Sequence, residues 1–75
     1  MNYRKNFSVV LHELRKKNNL SLQAIANVVG VTNQSISLLE QGKRSPSFEV
    51  LCIIADYFDV SIDYLVGRSD DPKRY

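Results

Sequence analysis

One cysteine, Cys52, and no apolar run long enough to cross a bilayer set the first limits on this chain. A lone cysteine makes neither an internal disulfide nor a metal cluster by itself, so Cys52 is expected reduced, as a small half-buried side chain on a helix. Arg4 and Lys5 are followed by no sustained apolar segment, so the N-terminus does not read as a secretory signal and a soluble, cytoplasmic protein with no membrane partner is expected. Internal repeats, low-complexity runs and the β-branched alternation that would demand a strand are all missing. Catalytic groupings are missing too. His12 stands alone and reads as a surface or half-buried residue, Cys52 has no histidine or acid at a telling spacing, and Ser35 and Ser37 have no base partner. Asp56, Asp59 and Asp63 lack the glycine and acidic spacing of a calcium loop and read as a solvated acidic face. The chain is therefore expected not to be an enzyme and to carry no metal or cofactor.

What the chain does contain is enough for one small domain. At 75 residues its core must be used efficiently, which favours helices with local contacts, or dimerisation. Its charge is unevenly spread. Residues 1–44 hold seven basic and two acidic side chains, a net +5, whereas residues 45–75 hold three basic and six acidic ones, a net −3. A positive half of this kind suits a polyanion, because neutralising phosphates releases counterions.

Apolar spacing predicts five helices and an all-α fold. Phe7, Val10, Leu11 and Leu14 recur at i, i+3, i+4 and i+7, predicting a helix from residue 4 or 5 to Lys17, with Arg15, Lys16 and Lys17 at its negative end. Asn18 and Asn19 make the exit, and Leu20 anchors the loop. Ser47 caps a helix whose inward stripe is Phe48, Leu51, Ile54, Ala55 and Phe58. Val60 is the next anchor, Ser61 caps a short helix through Val66, and Gly67 stops it. Residues 1–67 thus read as the domain and residues 68–75, RSDDPKRY, as a frayed polar tail.

Between the first and fourth helices lies LQAIANVVGVTNQSISLLEQ, from Leu22 to Gln41. Ser21 and Thr32 are suited to cap two helices that meet at Gly30, with Ile25, Ala26 and Val29 facing Ile36 and Leu39 and with Val31 as an apolar plug in the turn. So short a turn asks for a small residue at Ala26, a residue tolerant of positive φ at Gly30, and Gly42 as the terminal cap. Asn33, Gln34 and Ser37 fall on the outer face of the second helix, where Lys and Glu are the usual occupants. An uncharged row of donors and acceptors is the informative feature.

SLQAIANVVGVTNQSISLLEQGKRSPSFEVLCIIADYFDVSIDYLVG resembles the Cro/repressor-type (XRE-like) helix-turn-helix domains of phage repressors and bacterial regulators, on the spacing of Ala26, Gly30, Ile36 and Leu39 and on EQGKRSP followed by a helix and VSIDYLVG. The resemblance covers residues 5–67 and implies a five-helix, lambda-repressor-like bundle that binds double-stranded DNA as a two-fold dimer, with the helix Thr32 to Gln41 in the major groove. By position in the motif it implies Asn33, Gln34, Ser37 and Leu38 as base-reading residues and Thr32, Gln23, Lys43, Arg44 and Lys17 as phosphate contacts, assisted by backbone N–H groups around Gly42. It also implies a partly buried ion pair between Arg15 and Glu40. Where the family commonly has a glutamine directly after the cap of the second helix, this chain has Leu22, so the phosphate contact there passes to Gln23 or to the helix N-terminal amides.

The reading drawn from these features is a transcriptional regulator, in the repressor sense, acting as a homodimer on a palindromic operator. Ile53, Tyr57, Ile62, Tyr64, Leu65 and Val66 exceed what one small core needs and are assigned to the dimer surface. Lacking a separate ligand domain, such a chain would be regulated by concentration, the dimer equilibrium or a protein partner. The alternative is an antitoxin-like or other protein-interaction module that uses the same fold to hold a protein.

Overall fold

The structure, a computed structural model, describes residues 2–74; Met1 and Tyr75, the outermost residues of the expected domain and tail, lie outside the described residues. Five helices follow one another: α1 Tyr3–Lys17, α2 Leu22–Val29, α3 Asn33–Glu40, α4 Phe48–Phe58 and α5 Ile62–Leu65. Each begins where an amide or hydroxyl oxygen can take a backbone N–H three residues on. Asn2, Ser21, Thr32, Ser47 and Ser61 accept from Lys5, Ala24, Ser35, Val50 and Tyr64. Asn2 explains why α1 starts earlier than its apolar stripe predicts. At the other ends, Asn18 caps α1 and Asn19 turns left-handed at φ 56, while α3 stops at Gln41 with Gly42 one residue beyond at φ 72.

Phe7 and Leu11 of α1, Ile25 and Ala26 of α2, Ile36 and Leu39 of α3, Ile54 and Ala55 of α4, and Val60 and Leu65 form one buried core. Val10, Leu14, Leu20, Leu22, Val29, Val50, Leu51, Phe58 and Tyr64 pack around it. Two residues expected inside are not. Phe48 is 75% exposed. It is the first residue of α4, and a helical side chain leans toward the turn before its own Cα, which at this position lies past the helix end. Val31 is 36% exposed on the rim of a small cavity shared with Ser35, Leu39, Pro46 and Val50, so the turn is closed by the Val31 N–H on the Ala26 carbonyl, at 3.0 Å, rather than by its side chain.

Residues 68–74 are docked rather than frayed. The Ser61 N–H donates to the Pro72 carbonyl at 3.0 Å, and Arg74 donates to Asp56 Oδ1 at 2.6 Å and to the Ala55 carbonyl at 3.4 Å. The cause is electrostatic: α4 carries no basic residue in its last turn and ends at Asp56 and Asp59, next to the negative end of its dipole. Arg74 supplies the missing cation. A second long-range tie runs from Asn6 Nδ2 to the Val66 carbonyl, 3.1 Å, and holds the end of α5 on α1.

That tie leaves no room at Gly67. A Cβ there would sit 2.6 Å from Asn6 Nδ2 and 2.9 Å from Asn6 Cβ, and φ is +79°. Gly30 has φ +83° but open space around its Cβ. Gly67→Ala should therefore lower stability in urea unfolding by about 3 kcal/mol, and Gly30→Ala by about 1 kcal/mol from backbone strain alone. Equal losses would mean that α1 yields freely at Asn6.

Candidate nucleic-acid interface

α2 and α3 pack on each other through fully buried Ala26 and Ile36, and Gly30 (φ 83, ψ 32) turns the chain between them with its N–H on the Ala26 carbonyl at 2.8 Å. This pins the inner face of α3 and leaves the outer one free. Asn33 and Gln34 are exposed in its first turn, and Ser37 and Leu38 are half-buried in its second. Thr32 closes on its neighbour: Oγ1 accepts the Ser35 N–H and donates to Ser35 Oγ, both at 3.1 Å. Its proton is spent inside the cap. Gln41 reaches back one turn, donating Nε2 to Ser37 Oγ at 2.8 Å.

Lys43 and Arg44 are exposed just past the end of α3. The backbone there is not available as expected. The Gly42 N–H donates to the Leu39 carbonyl at 3.2 Å and the Lys43 N–H to the Leu38 carbonyl at 3.0 Å, because a helix that stops must satisfy its last carbonyls. Lys43 and Arg44 can therefore meet an anion through their side chains, but not through the N–H groups of Gly42 and Lys43. On α2, Gln23 is exposed but donates to Asn27 Oδ1 at 2.7 Å, and Leu22 packs on the core. Lys17 lies apart from these groups: it lines a cleft of about 710 Å³ with Leu20, Tyr57, Tyr64 and Pro72, to which no residue of α3 contributes.

Behind α3 stands a polar brace. Arg15 donates Nε to Glu40 Oε2 at 2.6 Å, Nη2 to Oε1 at 3.0 Å and Nη1 to the Leu20 carbonyl at 2.9 Å, so one guanidinium joins α1, the loop after it and the end of α3. The side chains of Arg15 and Glu40 are 13% and 8% exposed. Burial pushes the Glu40 carboxyl up, but hydrogen bonds from Arg15 and then His12 outweigh it and hold the group below its ordinary value of 4.5. Glu40 is thus an acceptor only, so His12 Nδ1, 2.8 Å from Oε1, carries the proton of that bond. His12 lies at the surface as expected, its side chain 51% exposed, and is tied from there to the end of α3. The available signal was its i, i+3 spacing from Arg15 on one face of α1.

Of the residues assigned to a dimer surface, Tyr57 and Ile62 are exposed, at 46% and 37%, and Ile53, Tyr64 and Val66 are half-buried. Leu65 does not belong with them. It is fully buried, because the single turn of α5 packs on both α1 and α4 and turns this side chain into the core. Tyr57 also meets Phe58 edge to face, with ring centroids 5.0 Å apart. No group of three or more His, Cys, Asp or Glu able to hold a metal ion occurs among the described residues, and no helix among them is long and apolar enough to cross a membrane.

Comparison with known proteins places this geometry. A family model described as helix-turn-helix matches residues 11–65. The HTH-type transcriptional regulator AnsR of Bacillus subtilis (strain 168) is 47% identical over 58 residues, which is 77% of this chain and 50% of AnsR. Among solved structures, a transcriptional regulator from Listeria innocua superposes with a TM-score of 0.80 at 34% identity, over 81% of this chain and 57% of that one. The restriction-modification controller protein C.AhdI from Aeromonas hydrophila gives a TM-score of 0.74 at 26% identity, over 83% of this chain and 94% of its own. The chain spans about half the length of the curated relatives it matches.

The brace has a measurable pH signature. A carboxylate whose folded pKa lies below its unfolded value adds stability that is full above the unfolded value and is lost as pH falls through the folded one. Stability of the parent should therefore fall more steeply than that of Glu40→Gln as pH drops from about 5 to about 3 in urea titrations. Glu40→Ala, which leaves Arg15 half-enclosed without its partner, should cost about 3 kcal/mol at neutral pH.

Proposed function

The chain belongs to the helix-turn-helix family, and from that membership we propose that it is a transcriptional regulator that reads duplex DNA through α3, as a homodimer on a palindromic operator. The observation that carries the reading is the outer face of α3, where Asn33 and Gln34 stand exposed in the first turn with no charged side chain between them and Leu38. An amide offers a donor and an acceptor together, which matches N6 and N7 of adenine in the major groove, and residues in the first turn of a recognition helix reach base edges most directly. Lys43, with Arg44 behind it, then holds a phosphate beyond the C-terminal end of the reading face, and Leu38 meets a thymine methyl. Repression follows from occupancy, since a bound operator is closed to other proteins. The protein acts in the cytoplasm and catalyses no reaction.

For the dimer, Tyr57 and Ile62 form the exposed apolar centre, with Ile53, Tyr64 and Val66 at its margin. Two copies joined there would set half-sites about 10 base pairs apart, one turn of the duplex.

Selection from a random duplex pool should return a two-fold symmetric site. On that site Gln34→Ala should weaken binding by about 1–3 kcal/mol and relax the preference at one base pair per half-site. Lys43→Ala should instead weaken binding to all sequences alike and flatten the salt dependence by about one unit of slope. Equal loss of selected and random duplex for Gln34→Ala would overturn the base-reading role. Ile62→Asp should shift the mass in sedimentation equilibrium to that of one chain and weaken binding to the full site far more than to a single half-site.

A further inference from the structure

Serine is an ambiguous reader of DNA, because its hydroxyl has one proton and two lone pairs and can serve a donor or an acceptor on the base. At Ser37 that ambiguity is removed by a neighbour. Gln41 Nε2 donates to Ser37 Oγ at 2.8 Å, which occupies a lone pair and turns the hydroxyl proton away from Gln41. A helical serine commonly spends its proton on the carbonyl four residues back. Ser37 makes no such bond to any acceptor among the described residues, so the proton is left for something outside the chain. The first turn of α3 shows the contrast: there Thr32 donates to Ser35 Oγ and the hydroxyl pair closes on itself.

We propose that Gln41 fixes Ser37 as a hydrogen-bond donor and so decides which bases the second turn of α3 accepts. The inference rests on the DNA-reading role of α3. A donor pointing into the major groove meets O6 and N7 of guanine, O4 of thymine or N7 of adenine, whereas cytosine presents only its N4 amine there. Cytosine is then excluded next to Ser37 on the contacted strand. Gln41 touches no base itself; it is a positioning residue that acts through Ser37. Its side chain is exposed at the C-terminal cap, so replacing it leaves the core intact.

The test is selection of bound sequences from a random duplex pool by the 75-residue chain and three variants, each checked first for an unchanged helical circular dichroism signal. Ser37→Ala identifies the base pair that Ser37 reads, as the position where its preference disappears. At that position the parent should disfavour cytosine by about three- to tenfold against the other bases, the size of one hydrogen bond. Gln41→Met, which keeps the length of the side chain and loses its donor, should flatten the preference at that position and no other. Gln41→Glu, which can only accept from Ser37, should turn the hydroxyl round and favour adenine or cytosine there, against a uniform weakening from the added charge. A parent that favours cytosine at the Ser37 position, or Gln41 variants that go on excluding cytosine there, would overturn the inference while leaving the DNA-reading role standing. A parent that enriches no site at all would remove the role of α3 and this inference together.

Discussion

Glu40 occupies a position that disfavours a carboxylate on two counts: it closes α3 at the negative end of the helix dipole, and only 8% of its side chain is exposed. Such a group persists only when donors supply it with hydrogen bonds. Arg15 and His12 do this from α1, and the same guanidinium takes the Leu20 carbonyl, so the loop between α1 and α2 is drawn into the arrangement. The pair does not add much net stability, since desolvating two charges offsets their attraction. What it contributes is orientation. An eight-residue helix such as α3 has little stability alone, and its direction is set by what holds its two ends. Thr32 holds the first end and the Glu40 brace holds the last.

The same logic recurs around the molecule. Two of the five helices have eight residues and one has four, lengths at which the orphaned terminal groups are a large share of the backbone. Every start is capped by an Asn, Ser or Thr oxygen, and the stops at Asn19, Gly30, Gly42 and Asp59 turn left-handed so that the last carbonyls are met. One stop has a defect. With Asp56 and Asp59 at the end of α4, the terminal dipole and two carboxylates add up, and a residue from the far end of the chain, Arg74, compensates.

Local rules made much of this legible. The caps Ser21, Thr32, Ser47 and Ser61, the small residue at Ala26 and the positive φ at Gly30 follow from the chemistry of a single residue and its neighbours, and core residues such as Leu11, Ile36 and Ile54 follow from spacing. The failures share a different property. Phe48 fits the stripe of α4 but lies at its end, where periodicity says nothing about whether another element covers it. Leu65 fits an apolar surplus that only the crossing of α5 over α1 and α4 could assign to the core. The Arg74 contact with Asp56, the Asn6 tie to Val66 and the His12 bond to Glu40 span 18, 60 and 28 residues, and no local pattern encodes a meeting at that separation.

The candidate interface divides its chemistry in a way that follows from the geometry of α3. A charge on the reading face would attract any phosphate and discriminate poorly, so selective contacts call for neutral groups with a fixed sense of donor and acceptor. Asn33, Gln34 and Ser37 are of that kind, and the basic groups Lys43 and Arg44 stand beyond the helix stop. That stop consumes the N–H groups of Gly42 and Lys43 on the carbonyls of Leu39 and Leu38, so in the proposed role an anion at this corner would be met by long, adaptable side chains and not by those two backbone groups. In that role such side chains would tolerate small shifts of a phosphate and leave register to the helix itself. The brace at Glu40 and the exposed cations three and four residues later would then be two halves of one arrangement, the first fixing where α3 points and the second, in the proposed role, holding the DNA it points at.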